Sequence, residues 1–188
     1  MGQSFEAVLI EQCAPTLAGL KPASLFRYLP EEADAFRREV SRLARILAPF
    51  GVAVRLLKTC SHTGAHLVYV YRAGWLRRIL KESGVREFLR QSGYTPDRGV
   101  GGLLEQLSGR LCLEREFPHE IGVFLGYPLE DVVGFIENRG RNYTCCGHWK
   151  VYGDPDAAQR RFDDYRRCTV QYKNCVRRGA QLAQLVAG

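Results

Sequence analysis

Apolar positions along the chain change period several times, and each change marks an expected element. Between Pro30 and Ala48, the residues Ala33, Phe36, Val40, Leu43, Ile46 and Leu47 recur three or four apart among charges, as an amphipathic helix requires. Pro30, Glu31 and Glu32 suit its start, and Pro49 and Gly51 suit its end. The runs Val52–Lys58 and His66–Arg72 are instead rich in β-branched and aromatic residues and read as strands. Their connection, Thr59–Ala65, is short and contains Gly64, so an antiparallel hairpin is predicted.

Upstream, Phe5–Cys13 predicts a short helix halted by Pro15, and the end of the segment Gly19–Leu29 predicts a further strand. Downstream, helices are expected over Gly74–Lys81, Val85–Gln91 and Gly99–Leu113, with a pair spanning His119–Asn138. Trp149–Tyr152 adds one more strand, and Asp154-Pro155 opens a long terminal helix reaching about Arg178. On that helix Phe162, Tyr165, Thr169, Tyr172 and Val176 form a stripe expected to pack on the sheet that includes Trp149 and Val151, with Cys168 at its border. The sum is an α+β fold: a small, mostly antiparallel sheet of about four strands packed against several helices.

Within the helix pair, Gly122, Gly126 and Val132 reproduce the spacing of a helix-turn-helix. The charge opposes a DNA reader, because Glu130, Asp131 and Glu137 would face phosphates. Glu130 and Asp131 suit the first turn of a helix opened by Pro128, so a structural helical hairpin is the expected form.

Length and composition narrow the class. The chain has 188 residues, 46% of them apolar, which fits a single domain over 1–188 with a sizeable core. No basic segment followed by an apolar stretch and a small-residue cleavage site is present, and no run approaches the ~18 apolar residues of a membrane span. A soluble, cytoplasmic protein without a membrane partner is expected. The net charge is +7, carried mostly by arginine, which permits a nucleic-acid partner without favouring one. In the helices over Arg37–Arg45 and Arg160–Arg178 the arginines alternate with acids and apolar residues, as on solvated faces.

Three segments are unusual enough to stand out: Cys13–Pro22, Phe117–Pro128, and Trp149–Tyr152 followed by Tyr165–Cys168. Together they resemble an uncharacterised family of unknown function from anaerobic, clostridial-type bacteria, with the hallmarks Pro-His-Glu and Leu-Gly-Tyr-Pro. Those hallmarks stand here at Pro118–Glu120 and Leu125–Pro128, and the resemblance spans nearly the whole chain. It assigns no established activity and leans the expectation toward redox or iron physiology. The cluster Cys145-Cys146-Gly147-His148 lies outside the family pattern.

The seven cysteines are odd in number and lack the paired CxxC knuckles of a zinc site, so reduced thiols and no metal site are expected. Cys146 and His148 would share a face of an extended segment, whereas Cys145 would point away. Cys168 and Cys175 share a helix face but lie too far apart for a disulfide. No phosphate-cradling loop, nucleophile elbow or dinucleotide fingerprint identifies a cofactor. His119 and Glu120, at an expected helix start, are the better functional candidates, with Glu120 orienting His119 or capping the helix. The favoured expectation is a binding or accessory module, with a pocket built around Cys13, Lys21, His119, Glu120 and Trp149 and a small-molecule or protein partner. The alternatives are a nucleic-acid-associated protein and an enzyme with His119 as general acid or base.

Overall fold

Three of the strand-like segments form one antiparallel sheet: β1 (Ala23–Tyr28), β2 (Val52–Thr59) and β3 (His66–Arg72), in the order β1-β3-β2. The structure, a computed structural model, describes residues 4–113 and 117–187. It divides into two units, Met1–Gly74 with Tyr165–Gly188, and Trp75–Asp164. We refer to them as the first and second unit.

The sheet belongs to the first unit. Ala23 pairs with Tyr71 and Tyr28 with His66 on one side of β3, and Val52 pairs with Arg72 and Thr59 with His66 on the other. The register slips between Leu56 and Lys58, where a bulge takes up one residue of β2. The helices α1 (Phe5–Leu17) and α2 (Ala33–Leu47) supply most of the remaining core. The α2 stripe buries Phe36, Leu43 and Leu47, as its periodicity requires. Phe5 of α1 meets Phe36 edge-on at 4.8 Å and Tyr28 at 4.9 Å between ring centroids.

Pro15 does not halt α1. It sits in the last turn, where the ring removes one ladder bond and the helix continues two residues further. The chain then turns through left-handed Gly19 (φ 76°), and the Pro15 carbonyl accepts from the amides of Leu20 and Lys21 at 2.8 and 3.0 Å. Arg72 fastens the same turn by donating to the carbonyls of Thr16 and Leu17.

The second unit is mainly helical, with α3 (Ala73–Ile79) leading into it, followed by α4 (Ser83–Gln91), α5 (Gly99–Leu113), α6 (Ile121–Phe124) and α7 (Leu129–Glu137). Its strands β4 (Cys145–Cys146) and β5 (Lys150–Val151) pair only with each other, Cys145 opposite Val151 and Cys146 opposite Lys150. The fold is thus α+β, with a small antiparallel sheet and a separate two-stranded ribbon among the described residues. The long helix α8 (Pro155–Arg177) starts in this unit, with the Asp154 carboxylate accepting from the amides of Asp156 and Ala157 at 2.9 and 3.0 Å.

The α8 stripe is buried at Phe162 and Tyr165 and half-buried at Thr169, Tyr172 and Val176, but it does not rest on one sheet as expected. Phe162 packs within the second unit against Trp149, whereas Tyr172 and Val176 join the core of the first. The reason is that Trp149 and Val151 belong to the ribbon and not to the three-stranded sheet. A last short helix, α9 (Leu182–Ala187), places Leu182 and Val186 in the core of the first unit, and the Leu185 carbonyl accepts from the Tyr172 hydroxyl at 2.6 Å.

The Gly122–Gly126–Val132 pattern forms a compact helical hairpin. A Cβ on Gly122 would lie 2.7 Å from Val132 Cγ2 and 3.1 Å from Tyr127 Cδ2. Gly126 makes the turn at φ 75°. Because α6 spans only four residues, it lacks both the length of a DNA-reading pair and an aligned dipole of any reach.

Gly122→Ala is expected to destabilise the protein by about 1–3 kcal/mol through overpacking. In urea unfolding, Val132→Ala combined with Gly122→Ala should recover part of that loss, because the second change removes the methyl that is struck. Strict additivity of the two changes would show that the contact does not set the helix spacing.

Candidate functional site

A cavity of about 350 Å³ opens in the second unit, within the range of small-ligand pockets. Three stretches build it, the first two consecutive in the chain and the third the ribbon. Phe117, His119, Ile121 and Gly122 come from the turn before α6 and from α6 itself, while Leu125 and Tyr127 come from the hairpin loop. Asp131, Val132 and Phe135 come from α7, and Cys146, Trp149 and Lys150 from the ribbon.

Trp149 is the fixed point of the wall. Its indole Nε1 donates to Asp131 Oδ2 at 2.7 Å, while Asp131 Oδ1 accepts from the amides of Tyr152 and Gly153 at 2.7 and 2.8 Å. The buried carboxylate therefore meets three donors, the arrangement that makes a buried charge tolerable. Tyr127 stacks on the indole at 4.9 Å and Phe162 meets it edge-on at 4.6 Å. Gly147 is required behind it, since a Cβ there would lie 2.3 Å from the Phe162 ring.

His119 is exposed, and its ring meets the edge of Phe135 at 4.9 Å on the cavity wall. Lys150 donates from Nζ to the Gly140 carbonyl at 2.7 Å and lies 4.9 Å from the centroid of the Tyr143 ring. Being opposite in the ladder, Cys146 and Lys150 project from the same face of the ribbon into the same cavity.

Glu120 turns the other way. Its Oε1 accepts from Tyr94 Oη at 2.9 Å and from Arg110 at 3.0 Å, and the Arg110 guanidinium lies 4.3 Å over the Tyr94 ring. It occupies the position before α6 without capping it through its side chain. Adjacent residues thus divide the work, with His119 facing the cavity and Glu120 bracing the interior.

Cys13 and Lys21 lie in the first unit and form a buried polar cluster with Thr16 and Ser24, whose hydroxyls bond at 2.8 Å. Burial pushes the Cys13 thiol up to about 12, a shift that nearby Lys21 and Ser24 partly offset. Burial likewise holds the Lys21 ammonium down at about 8. Of the five expected site residues, the structure thus brings together His119 and Trp149 in one place and Cys13 and Lys21 in another.

Cys146 and His148 do not form a ligand pair. The chain from Cys146 to Lys150 is a tight hairpin closed by Gly147 N donating to the Trp149 carbonyl at 3.0 Å, so strand alternation does not apply. His148 packs near Phe162 at 5.6 Å, outside the cavity wall. All seven cysteines are free, and among the described residues no three His, Cys, Asp or Glu side chains gather as metal ligands. No helix among the described residues is long and apolar enough to cross a membrane.

The model of the family described as protein of unknown function (DUF3793) matches residues 9–186. The chain belongs to that family. Neither the curated proteins nor the solved structures provide a match to it. The DUF3793 match includes all three segments that build the cavity wall.

Asp131→Ala is expected to cost about 3–5 kcal/mol, because an indole and two amides lose their buried acceptor. The loss should appear in urea unfolding together with a changed Trp149 fluorescence maximum, while Asp131→Asn should retain part of both. The Cys13–Lys21 cluster generates a prediction with opposite signs in two windows. Lys21 is depressed on folding, so its contribution to stability is present above 10.5 and lost as pH falls through about 8. Cys13 is raised, so its contribution is present below 9.0 and lost as pH rises through about 12. Unfolding free energy should therefore rise from pH 8 to 9 and fall from pH 10.5 to 12. Lys21→Met should abolish the rise and keep the fall, and a rise unchanged in that variant would refute the assignment.

Proposed function

We propose that this DUF3793 domain is a small-molecule binding module whose ligand occupies the cavity of the second unit. One observation carries the proposal: His119 of Pro-His-Glu, Leu125 and Tyr127 of Leu-Gly-Tyr-Pro, and Trp149-Lys150 contribute to a single concave wall. Aromatic and aliphatic side chains dominate that wall and a few polar groups interrupt it, the usual make-up of a ligand site. The finer expectation of a link to redox or iron metabolism stays a proposal that these residues do not by themselves favour.

The catalytic alternative has one observation in its favour, since His119 is exposed beside a cavity rather than buried. Turnover of a bound compound that is lost in His119→Gln, with binding kept, would establish it. The nucleic-acid alternative has less support, because two cations of the basic helices are engaged with acids. Arg42 bonds Glu6 and Glu39, and Lys173 bonds Glu11 at 2.6 Å.

An NMR titration of the labelled full chain with small aromatic compounds tests the binding reading. Binders should shift the Trp149 indole N–H and the amides of His119, Cys146 and Lys150. Phe117 is 50% exposed at the rim, so Phe117→Ala should leave the fold intact and weaken binding about 5-fold by removing apolar contact. Compounds that bind without shifting these signals would place the ligand site elsewhere.

A further inference from the structure

The charges around the cavity are unequal in what they can offer a ligand. Asp131 is the only carboxylate among the described lining residues, and both its oxygens are taken by Trp149 Nε1 and the amides of Tyr152 and Gly153. A cationic ligand group would have to compete with three short bonds that also hold the wall together. Lys150 is in the opposite position. An ammonium carries three donors, and one is committed, to the Gly140 carbonyl at 2.7 Å. Ring faces of Phe135 and Tyr143 lie 5.7 and 4.9 Å from Nζ, which steadies the cation without supplying a carboxylate counter-charge. Among the described residues no carboxylate is paired with Lys150.

From this geometry we infer that the cavity takes an apolar monoanion, its aromatic or aliphatic body lodged in the pocket and its carboxylate or similar group set against Lys150. The inference rests on the binding reading above. The body's surroundings are Phe117, Ile121, Leu125, Tyr127, Phe135 and Trp149, which reward removal of apolar area from water. A volume of about 350 Å³ suits a compound of one or two rings and is too small for a dinucleotide or a tetrapyrrole.

Three probes of matched shape decide the question on the labelled full chain: 3-phenylpropionate, 3-phenylpropan-1-ol and 3-phenylpropylamine, followed at the Trp149 indole N–H. The acid should bind about 10-fold tighter than the alcohol, which is the worth of one charge-assisted hydrogen bond, and the amine should bind weakest. Lys150→Gln should bring the acid down to the alcohol's affinity without changing the alcohol's, and Lys150→Arg should restore the preference. Should Lys150→Gln fail to fold, the ranking on the unsubstituted chain and on Lys150→Arg still decides. Equal or tighter binding of the alcohol or amine overturns the anion inference and leaves the binding reading standing. An acid preference that survives in a folded Lys150→Gln also overturns it. If none of the three moves the Trp149 signal at millimolar concentration, the binding reading falls and this inference with it.

Discussion

A single buried carboxylate organises the second unit. Asp131 stands in the first turn of α7, where an acid already favours the helix start, and it reaches across to the ribbon rather than to its own amides. Removing a charge from water costs several kcal/mol unless donors replace the water. Here three donors from Trp149, Tyr152 and Gly153 do so, and all three lie in the five residues ending just before Asp154, which caps α8. One side chain thereby fixes the indole, the exit of the ribbon and the approach to the long helix. Once the indole is fixed, the Tyr127 and Phe162 rings have one place to pack, and the cavity has a rigid back wall.

Two close approaches make that wall thin. Gly122 allows α6 to touch Val132 of α7, and Gly147 allows the ribbon to lie over Phe162. With any side chain at either position the elements would separate, and the space between α6, α7 and the ribbon would change shape. Polar groups outside the cavity are handled with the same economy. Glu120 gathers Tyr94 and Arg110, Thr16 pairs with Ser24, and among the described residues no buried side-chain nitrogen or oxygen lacks a partner.

Much of this was legible in the sequence where one element decides its own form. The α2 stripe, the hairpin around Gly64, the span of α5 and the Gly122–Val132 approach all follow from local period or local size. What depends on long-range choice was not. Whether Trp149–Tyr152 joins the larger sheet or closes on Cys145-Cys146 is a matter of partner, and both partners satisfy the same β-favouring run. Pro15 reads locally as a stop, although a proline near a helix end removes only one bond. The six residues of α9 are too few for a period to show. His119 and Trp149 were visible as site candidates through their unusual segments, whereas Lys150 hid inside a strand and Asp131 inside a helix start. The useful signal was the ribbon pairing that sets Lys150 opposite Cys146, and that pairing is not written in either strand alone.

The turn Pro118-His119-Glu120 shows how a short motif sends adjacent side chains to different surroundings. Its backbone carbonyls at Pro118 and His119 accept from the amides of Ile121 and Gly122, each at 3.2 Å, which sets the direction of both following side chains. Glu120 goes inward, where its loss would remove an acceptor that Tyr94 and Arg110 share. His119 goes outward to the rim, where it touches Phe135 and carries no structural bond of comparable weight among the described residues. The same division holds on the ribbon, where Trp149 is buried and tied to Asp131 while neighbouring Lys150 reaches the cavity mouth with one donor engaged. Substitution at the exposed His119 should therefore disturb stability less than substitution at buried Glu120, Asp131 or Trp149.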